Sequence, residues 1–103
     1  KVQITDAGAA LDLAMSARYE TGASRLAIDK RLVCSDFFIL STGVAGDILQ
    51  KLMNYRFKAA IYGDYSHYTS KPLRDFIRES NHGKDFFFVS TMEEAVQRLT
   101  DAE

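Results

Sequence analysis

The spacing of hydrophobic residues along the chain alternates between the two-residue repeat of strands and the 3.6-residue repeat of helices. A half-buried strand is predicted at 1–7, where Val2 and Ile4 alternate with polar residues. Compact apolar stretches predict further strands at 25–29, 57–65 and 85–90. Helices are predicted at 8–22, in the stretch that begins at residue 40, at 70–83 and at 91–99. Residues 30–38 follow neither period.

Each predicted helix has a face that we expect to point inward. These faces contain Leu11, Ala14, Met15 and Tyr19; Val44, Ile48, Leu49, Leu52 and Met53; Leu73, Phe76, Ile77 and Ser80; and Met92, Ala95, Val96 and Leu99. Gly22 and the segment 81–83 are predicted helix stops, the latter left-handed, and Pro72 suits a first turn. Thr91 and Glu94 have the spacing of a capping box.

Strands that alternate with single helices favour right-handed crossovers and a parallel sheet. We therefore predict one α/β domain over residues 1–103, with a mainly parallel or mixed sheet. No linker, repeat or low-complexity stretch divides the 103 residues. A chain of this length buries roughly two thirds of its unfolded surface, which is enough for one core.

Composition and charge narrow the possible functions. The chain is 47% hydrophobic and 26% charged, and its net charge of −1 gives no general attraction to nucleic acid or anionic membrane. No apolar run approaches the length of a membrane span. Cys34 is the single cysteine, which excludes an internal disulfide and fits a reducing cytoplasm. We expect a cytoplasmic protein without a cofactor.

Four stretches carry a resemblance to a known family: LDLAMSARYETG, DFFILSTGVAGDILQKLMNY, AIYGDYSHYTSKPLRDFIRESNHGKDFFFV and EEAVQRL. Together they resemble the bacterial domain of unknown function 4180 family over nearly the whole chain. Members of that family usually carry an N-terminal β-hairpin arm. The resemblance therefore implies that KVQITD is its second strand and that the chain lacks the first. It implies no activity.

A looser similarity, in topology alone, is to the STAS domain, the fold of anti-sigma-factor antagonists. In that fold a Ser or Thr where the helix after the third strand begins can be phosphorylated, which switches partner binding. The similarity places Ser41 and Thr42 at the corresponding position. Residues 30–40 do not follow the usual STAS loop pattern.

The first candidate site is LSTGVAGDILQKL, where a helix N-terminus follows Ser41 and Thr42. Free backbone N–H groups and the helix dipole favour an anion there, and Gly43 and Gly46 allow close approach. The Gly spacing matches neither a P-loop nor a dinucleotide fingerprint. Three interpretations stay open: a simple helix cap, a phosphorylation switch, and a site for an anion or nucleotide.

The second candidate site is GDYSHYTSKPLRD, which follows a strand of the predicted parallel sheet. Ligands of such sheets bind beyond the carboxyl ends of the strands. The candidate pocket residues are Asp64, Ser66, Ser70, Lys71 and Arg74. The alternative is that Ser70 caps a helix and Asp64 stabilises a turn. Residues 41–46 and 64–74 are predicted to face one shared pocket.

Aromatic residues offer a third surface. Phe37 and Phe38 lie in the irregular segment and, if exposed, would form an apolar patch for a protein partner or a homodimer. His67 and His82 are not at ligand spacing with other donors, so no metal site is predicted. No complete set of nucleophile and base is recognisable, so no catalytic residue is assigned.

These observations favour a non-enzymatic regulatory or protein-interaction module with a possible phospho-switch at Ser41 or Thr42. The alternative is a small-molecule or nucleotide binder, or an enzyme, that uses the pocket between residues 41–46 and 64–74. Nucleic acid and membrane are not expected partners, and a homodimer is left open.

Overall fold

The computed structural model describes residues 2–102 of the chain. Three strands, β1 to β3, span Arg25–Asp29, Lys58–Tyr62 and Phe86–Val89. Four helices, α1 to α4, span Ala7–Thr21, Val44–Asn54, Lys71–His82 and Met92–Asp101. Three short 3₁₀ turns between β1 and α2 lie at Lys30–Leu32, Ser35–Phe38 and Leu40–Thr42. The predicted α/β class is confirmed, and the undecided segment 30–38 consists of two 3₁₀ turns joined by Val33 and Cys34.

The three strands form a parallel sheet in the order β1-β2-β3. Ala60 at its centre pairs with Ala27 of β1 and Phe87 of β3. Parallel strands are buried on both faces, which explains why β2 and β3 are apolar throughout. The carboxyl ends of all three strands consequently meet at one edge of the sheet, where Asp29, Tyr62 and Val89 end them.

Helices cover both faces of this sheet. Among the described residues, α1, α2 and α3 share one hydrophobic core with the face that carries Ile28, Ile61 and Phe88. Helix α4 covers the opposite face, where Ala95 and Leu99 are buried with the strand residues Ala60, Phe87 and Val89. Helices α2 and α3, which connect β1 to β2 and β2 to β3, lie on the same face, as two crossovers of one handedness require.

The predicted inward faces were wrong for several large side chains. In α1 the buried residues are Ala10 and Ala14, whereas Tyr19 is 93% exposed and Met15 is exposed. The small alanines let α1 pack closely against α2, which turns the larger side chains outward. Three other residues that were predicted to be buried are also exposed: Met53, Met92 and Val96.

The predicted first strand is not a strand of the sheet. Lys1 lies outside the described residues, and Ile4 forms a single parallel bridge with Val33. The backbone N–H of Cys34 donates to Ile4, and that of Ile4 donates to Leu32. Strand pairing ends there because the Asp6 carboxylate accepts from Ala9 and starts α1 immediately afterwards.

Most predicted helix ends are confirmed. Gly22 ends α1 in the left-handed region at φ 76°. Thr91 caps α4 by accepting from Glu94, whose carboxylate accepts the N–H of Ser90 in return. The predicted left-handed stop after α3 was wrong, since Gly83 has φ −87°.

Candidate functional site

The loop from Gly63 to Ser70 leaves the carboxyl end of β2 and leads into α3. At its start the Asp64 carboxylate accepts from both the backbone N–H and the hydroxyl of Ser66, at 2.8 Å and 2.6 Å. These hydrogen bonds, the hydroxyl first, lower the pKa of Asp64. The alternative considered from the sequence, in which Asp64 stabilises a turn, is therefore confirmed.

Three aromatic rings anchor this loop to the turns after β1. Tyr68 stacks on Phe38 with ring centroids 5.3 Å apart, and Tyr65 lies 6.0 Å from Phe38. The ammonium of Lys30 lies 4.8 Å from the centroid of Tyr68, which is within the range of a cation–π contact. The Tyr65 hydroxyl donates to the carbonyl of Ile61, and burial raises its pKa.

Gly63 is required by the close approach of Lys30. A Cβ at Gly63 would lie 2.7 Å from the Cβ of Lys30, a distance that side chains do not tolerate. Glycine at this position therefore lets the chain after β2 pass directly beside the turn after β1. This approach brings Lys30 to the aromatic rings of the loop.

A groove of about 590 Å³ lies between this loop and α3. We call it the α3 groove; its lining residues are Tyr65, Ser66, Tyr68, Thr69, Arg74, Ile77, Arg78, Asn81 and His82. Five of these residues lie on α3, from Arg74 to His82. They occupy one side of the helix, because each has another of the five three or four residues away. Among residues 2–102, its lining includes three basic side chains and no acidic one.

The basic residues of the groove differ in their partners. Arg78 donates to the Asp75 carboxylate at 2.9 Å, and Lys71 donates to the other oxygen at 2.8 Å. The bond from Lys71, and next that from Arg78, lowers the pKa of Asp75. Within residues 2–102, the exposed guanidinium of Arg74 has no ion pair. Arg74 is thus available to an anion, and Arg78 is held in place.

Asn81 lines the groove and protects the edge of the sheet. Its side-chain amide donates to the carbonyl of Phe88 and accepts from the N–H of the same residue, at 3.1 Å and 2.7 Å. It therefore takes the place of a neighbouring strand along the open edge of β3. The Arg98 guanidinium in turn donates to the Asn81 carbonyl and stacks on Phe87.

A second cavity of about 370 Å³ lies on the other side of the loop, at the carboxyl ends of β1 and β2. Its lining residues are Asp29, Lys30, Arg31, Tyr62, Gly63, Asp64 and His67. Asp29 and Arg31 are paired at 2.7 Å, and this hydrogen bonding lowers the pKa of Asp29 to about 2. Because its acidic and basic groups alternate, the second cavity favours no single charge.

Of the five pocket candidates from residues 64–74, some line the α3 groove and others stabilise the loop and the start of α3. Ser66 and Arg74 line the α3 groove. Ser70 caps α3 by accepting from Leu73, as the simpler alternative proposed, and Lys71 is exposed in its ion pair with Asp75. Sequence reasoning missed Arg78, Asn81 and His82, although their spacing from Arg74 on one helix side was a usable signal.

The candidates in residues 41–46 do not line the α3 groove or the second cavity. The one Thr42 hydroxyl proton is shared between the carbonyls of Asp36 and Ile39, and the hydroxyl oxygen accepts from the N–H of Val44 at 3.3 Å. Gly43, at φ 79°, is the residue that precedes α2. A Cβ at either Gly43 or Gly46 would meet no atom of the described residues within 4 Å, so the fold makes no close approach at these glycines. Neither of the two cavities is therefore the predicted shared pocket.

The proposed apolar patch of Phe37 and Phe38 is contradicted by their burial, at 0% and 6% exposure. Phe37 lies 6.1 Å from Phe88 in the core, and Phe38 supports Tyr68. Both rings are buried because the 3₁₀ turn at Ser35–Phe38 directs them under the loop. The exposed apolar residue of this segment is Ile39.

Residues 2–102 contain no group of three His, Cys, Asp or Glu side chains placed to hold a metal ion. In the same part of the chain, no helix is both long and apolar enough to cross a membrane.

Comparison with known proteins identifies a family and no individual relative. The model of the family described as "Domain of unknown function (DUF4180)" matches residues 1–99. No curated protein and no solved structure matches the chain. The similarity to STAS domains therefore stays an expectation from the order of the elements.

Proposed function

The chain belongs to the DUF4180 family, and we propose that this domain binds a small anionic organic molecule in the α3 groove. The supporting observation is the composition of the groove: Arg74, Arg78 and His82 face it without an acidic neighbour in its lining. A cavity of about 590 Å³ falls within the range of small-molecule sites. This proposal keeps the predicted binder and moves its pocket away from residues 41–46.

The remaining lining residues suit an organic ligand better than a bare inorganic ion. Tyr65, Tyr68 and Ile77 supply apolar surface, and the hydroxyls of Ser66 and Thr69 lie on the loop side. Ligand sites typically combine such apolar walls with a few polar groups that fix orientation. An anionic group at the arginines and an uncharged body along the tyrosines would satisfy both parts of the groove.

Arg74 is expected to contribute most of the charge-dependent affinity. A hydrogen bond between charged groups is worth about 1.5–3 kcal/mol, which corresponds to a loss of roughly tenfold to a hundredfold when it is removed. Arg74 is exposed and has no ion pair to lose among the described residues, and alanine favours helix. Arg74→Ala therefore removes the anion contact without unfolding α3.

A thermal-shift panel of phenyl phosphate, sugar phosphates, nucleoside monophosphates and aromatic carboxylates tests this function. A probe at 100 times its Kd stabilises by about 2.7 kcal/mol, which raises Tm by roughly 10–20 °C for a domain of this size. We expect a rise for at least one phosphate probe, a reduction of that rise by about half or more in Arg74→Ala, and its retention in the matched control Lys51→Ala on α2. No rise in the wild type, or an equal rise in Arg74→Ala, contradicts the proposal.

The second candidate function is the regulatory interaction module with a phospho-switch. It is favoured by Ser41, whose side chain is exposed beside the exposed Ile39 at the start of α2. Thr42 is the less suitable acceptor because its hydroxyl proton is directed at the carbonyls of Asp36 and Ile39 and its oxygen accepts from Val44. A phosphate at Ser41 would add a charge of about −1.5 to −2 near the α2 N-terminus.

Sedimentation of the wild type, Ser41→Glu and Ser41→Ala tests the homodimer form of this second candidate. We expect Ser41→Glu to change the sedimentation coefficient while Ser41→Ala leaves it unaltered. If the wild type and both variants sedimented identically as monomers, the hypothesis that phosphorylation of Ser41 switches self-association would be contradicted.

A further inference from the structure

The basic residues of the α3 groove are arranged as a row. Arg74, Arg78 and His82 are each four residues apart, so their Cβ atoms succeed one another at about 5–6 Å along one side of α3. All three line the groove. From the first to the third, the row extends about 12 Å at the helical rise of 1.5 Å per residue.

The two arginines of this row are suited to two separate anions. Arg74 has no ion pair within the described chain, and Arg78 uses one terminal N–H on Asp75. Because a guanidinium has five N–H donors, Arg78 keeps most of its donors for a ligand. Asp75 does not line the groove, and its second oxygen is occupied by Lys71. Asp75 is therefore a positioning residue that orients Arg78.

The surface between the arginines is not suited to a continuous anionic chain. Ile77, which lies between Arg74 and Arg78 in the sequence, also lines the groove, and Tyr65 and Tyr68 line it from the loop. We propose that the ligand carries two anionic groups about 6 Å apart, joined by an uncharged spacer, as in sugar bisphosphates and short dicarboxylates. One group would bind Arg74 and the other Arg78. This inference rests on the proposed function of the same groove.

A series of alkane-α,ω-bisphosphonates with two to eight carbons serves as a molecular ruler, with alkyl monophosphonates of equal length as matched probes. Isothermal titration calorimetry measures each Kd for the wild type, Arg74→Ala, Arg78→Gln and Lys51→Ala. We expect the strongest binding near four carbons and about tenfold tighter binding than for the monophosphonate. Each arginine variant should reduce the bisphosphonate affinity to that of the monophosphonate, while Lys51→Ala stays unchanged.

The other outcomes separate this inference from the proposed function. Equal affinities for the mono- and bisphosphonates overturn the two-anion inference and leave anion binding intact. A best spacer near 12 Å assigns the second anion to His82 and also overturns the pairing of the two arginines. No binding by any probe of either series contradicts the inference and the proposed function together. Circular dichroism of Arg78→Gln verifies that α3 stays folded, and Arg78→Lys, which keeps the charge, should retain part of the gain.

Discussion

Replacement of Arg56 by glycine is expected to stabilise the domain. Arg56 has φ 65° and is the one non-glycine residue of the described chain with positive φ. It follows the end of α2, where its N–H donates to Met53 and the N–H of Phe57 donates to Leu52. These two hydrogen bonds form a Schellman motif, whose left-handed position usually holds glycine.

The magnitude follows from two opposing terms. The left-handed conformation costs an L-residue about 1–2 kcal/mol, which Arg56→Gly removes. The greater freedom of glycine in the unfolded chain returns about 0.4–1 kcal/mol of this gain. The side chain of Arg56 makes no hydrogen bond within the described residues, so little else is lost. The net stabilisation should be about 0.5–1 kcal/mol, or a rise in Tm of about 2–8 °C for a domain of this size.

Gly22 provides the reciprocal control. It ends α1 at φ 76°, and a Cβ there would meet no atom within 4 Å. Gly22→Ala therefore adds the left-handed cost without a steric clash and should destabilise by about 0.5–1 kcal/mol. Urea denaturation measures both variants. If Arg56→Gly lowered the free energy of unfolding, or if both variants shifted it in the same direction, the argument from backbone conformation would be refuted.

Three further predictions follow from single contacts. Asn81→Ala leaves the N–H and C=O of Phe88 without partners and should destabilise by about 1–3 kcal/mol in urea denaturation. Lys30→Met keeps the apolar stem and loses the cation–π contacts, so Tm should fall modestly and the near-ultraviolet dichroism of the tyrosines should change. The Asp29 carboxyl, bonded to Arg31, should titrate near pH 2 in an NMR titration.

The lowered pKa of Asp29 also predicts how stability changes with pH. Because the folded pKa of Asp29 lies below its ordinary value of 3.8, its contribution is complete above that value and is lost as the pH falls toward 2. Asp29→Asn should therefore lose less stability than the wild type between pH 4 and 2. Equal losses would contradict the assignment. For Asn81→Ala, faster amide exchange at Phe88 would support the prediction. For Lys30→Met, an unchanged near-ultraviolet spectrum would contradict it.

The fold could be predicted where local signals and burial agree. The apolar runs of β2 and β3 and the cap at Thr91 depend on neighbouring residues alone, and they were placed correctly. The inward face of α1 was wrong because small alanines, not the large Tyr19, contact α2. Hydrophobic spacing identifies an apolar face without saying which neighbour it meets. The burial of Phe37 depends on a 3₁₀ turn that has no periodic signature.

The candidate site was predicted in part for a related reason. Ser66 and Arg74 were identified because ligands of parallel sheets bind beyond the strand ends, a rule that depends on the order of elements. Arg78 and His82 were missed because their place in the groove depends on how α3 is rotated against the loop. Residues 41–46 do not line the α3 groove with them, since Thr42 is held by its own turn through Asp36 and Ile39.

The most direct measurement is NMR mapping of the backbone amides during titration with phenyl phosphate, in the wild type and in Arg74→Ala. Binding in the α3 groove predicts saturable shifts at Ser66, Thr69 and Arg74, with little change around Ser41, and their loss in the variant. Shifts centred on residues 41–46, or wild-type shifts that persist in Arg74→Ala, would contradict the account.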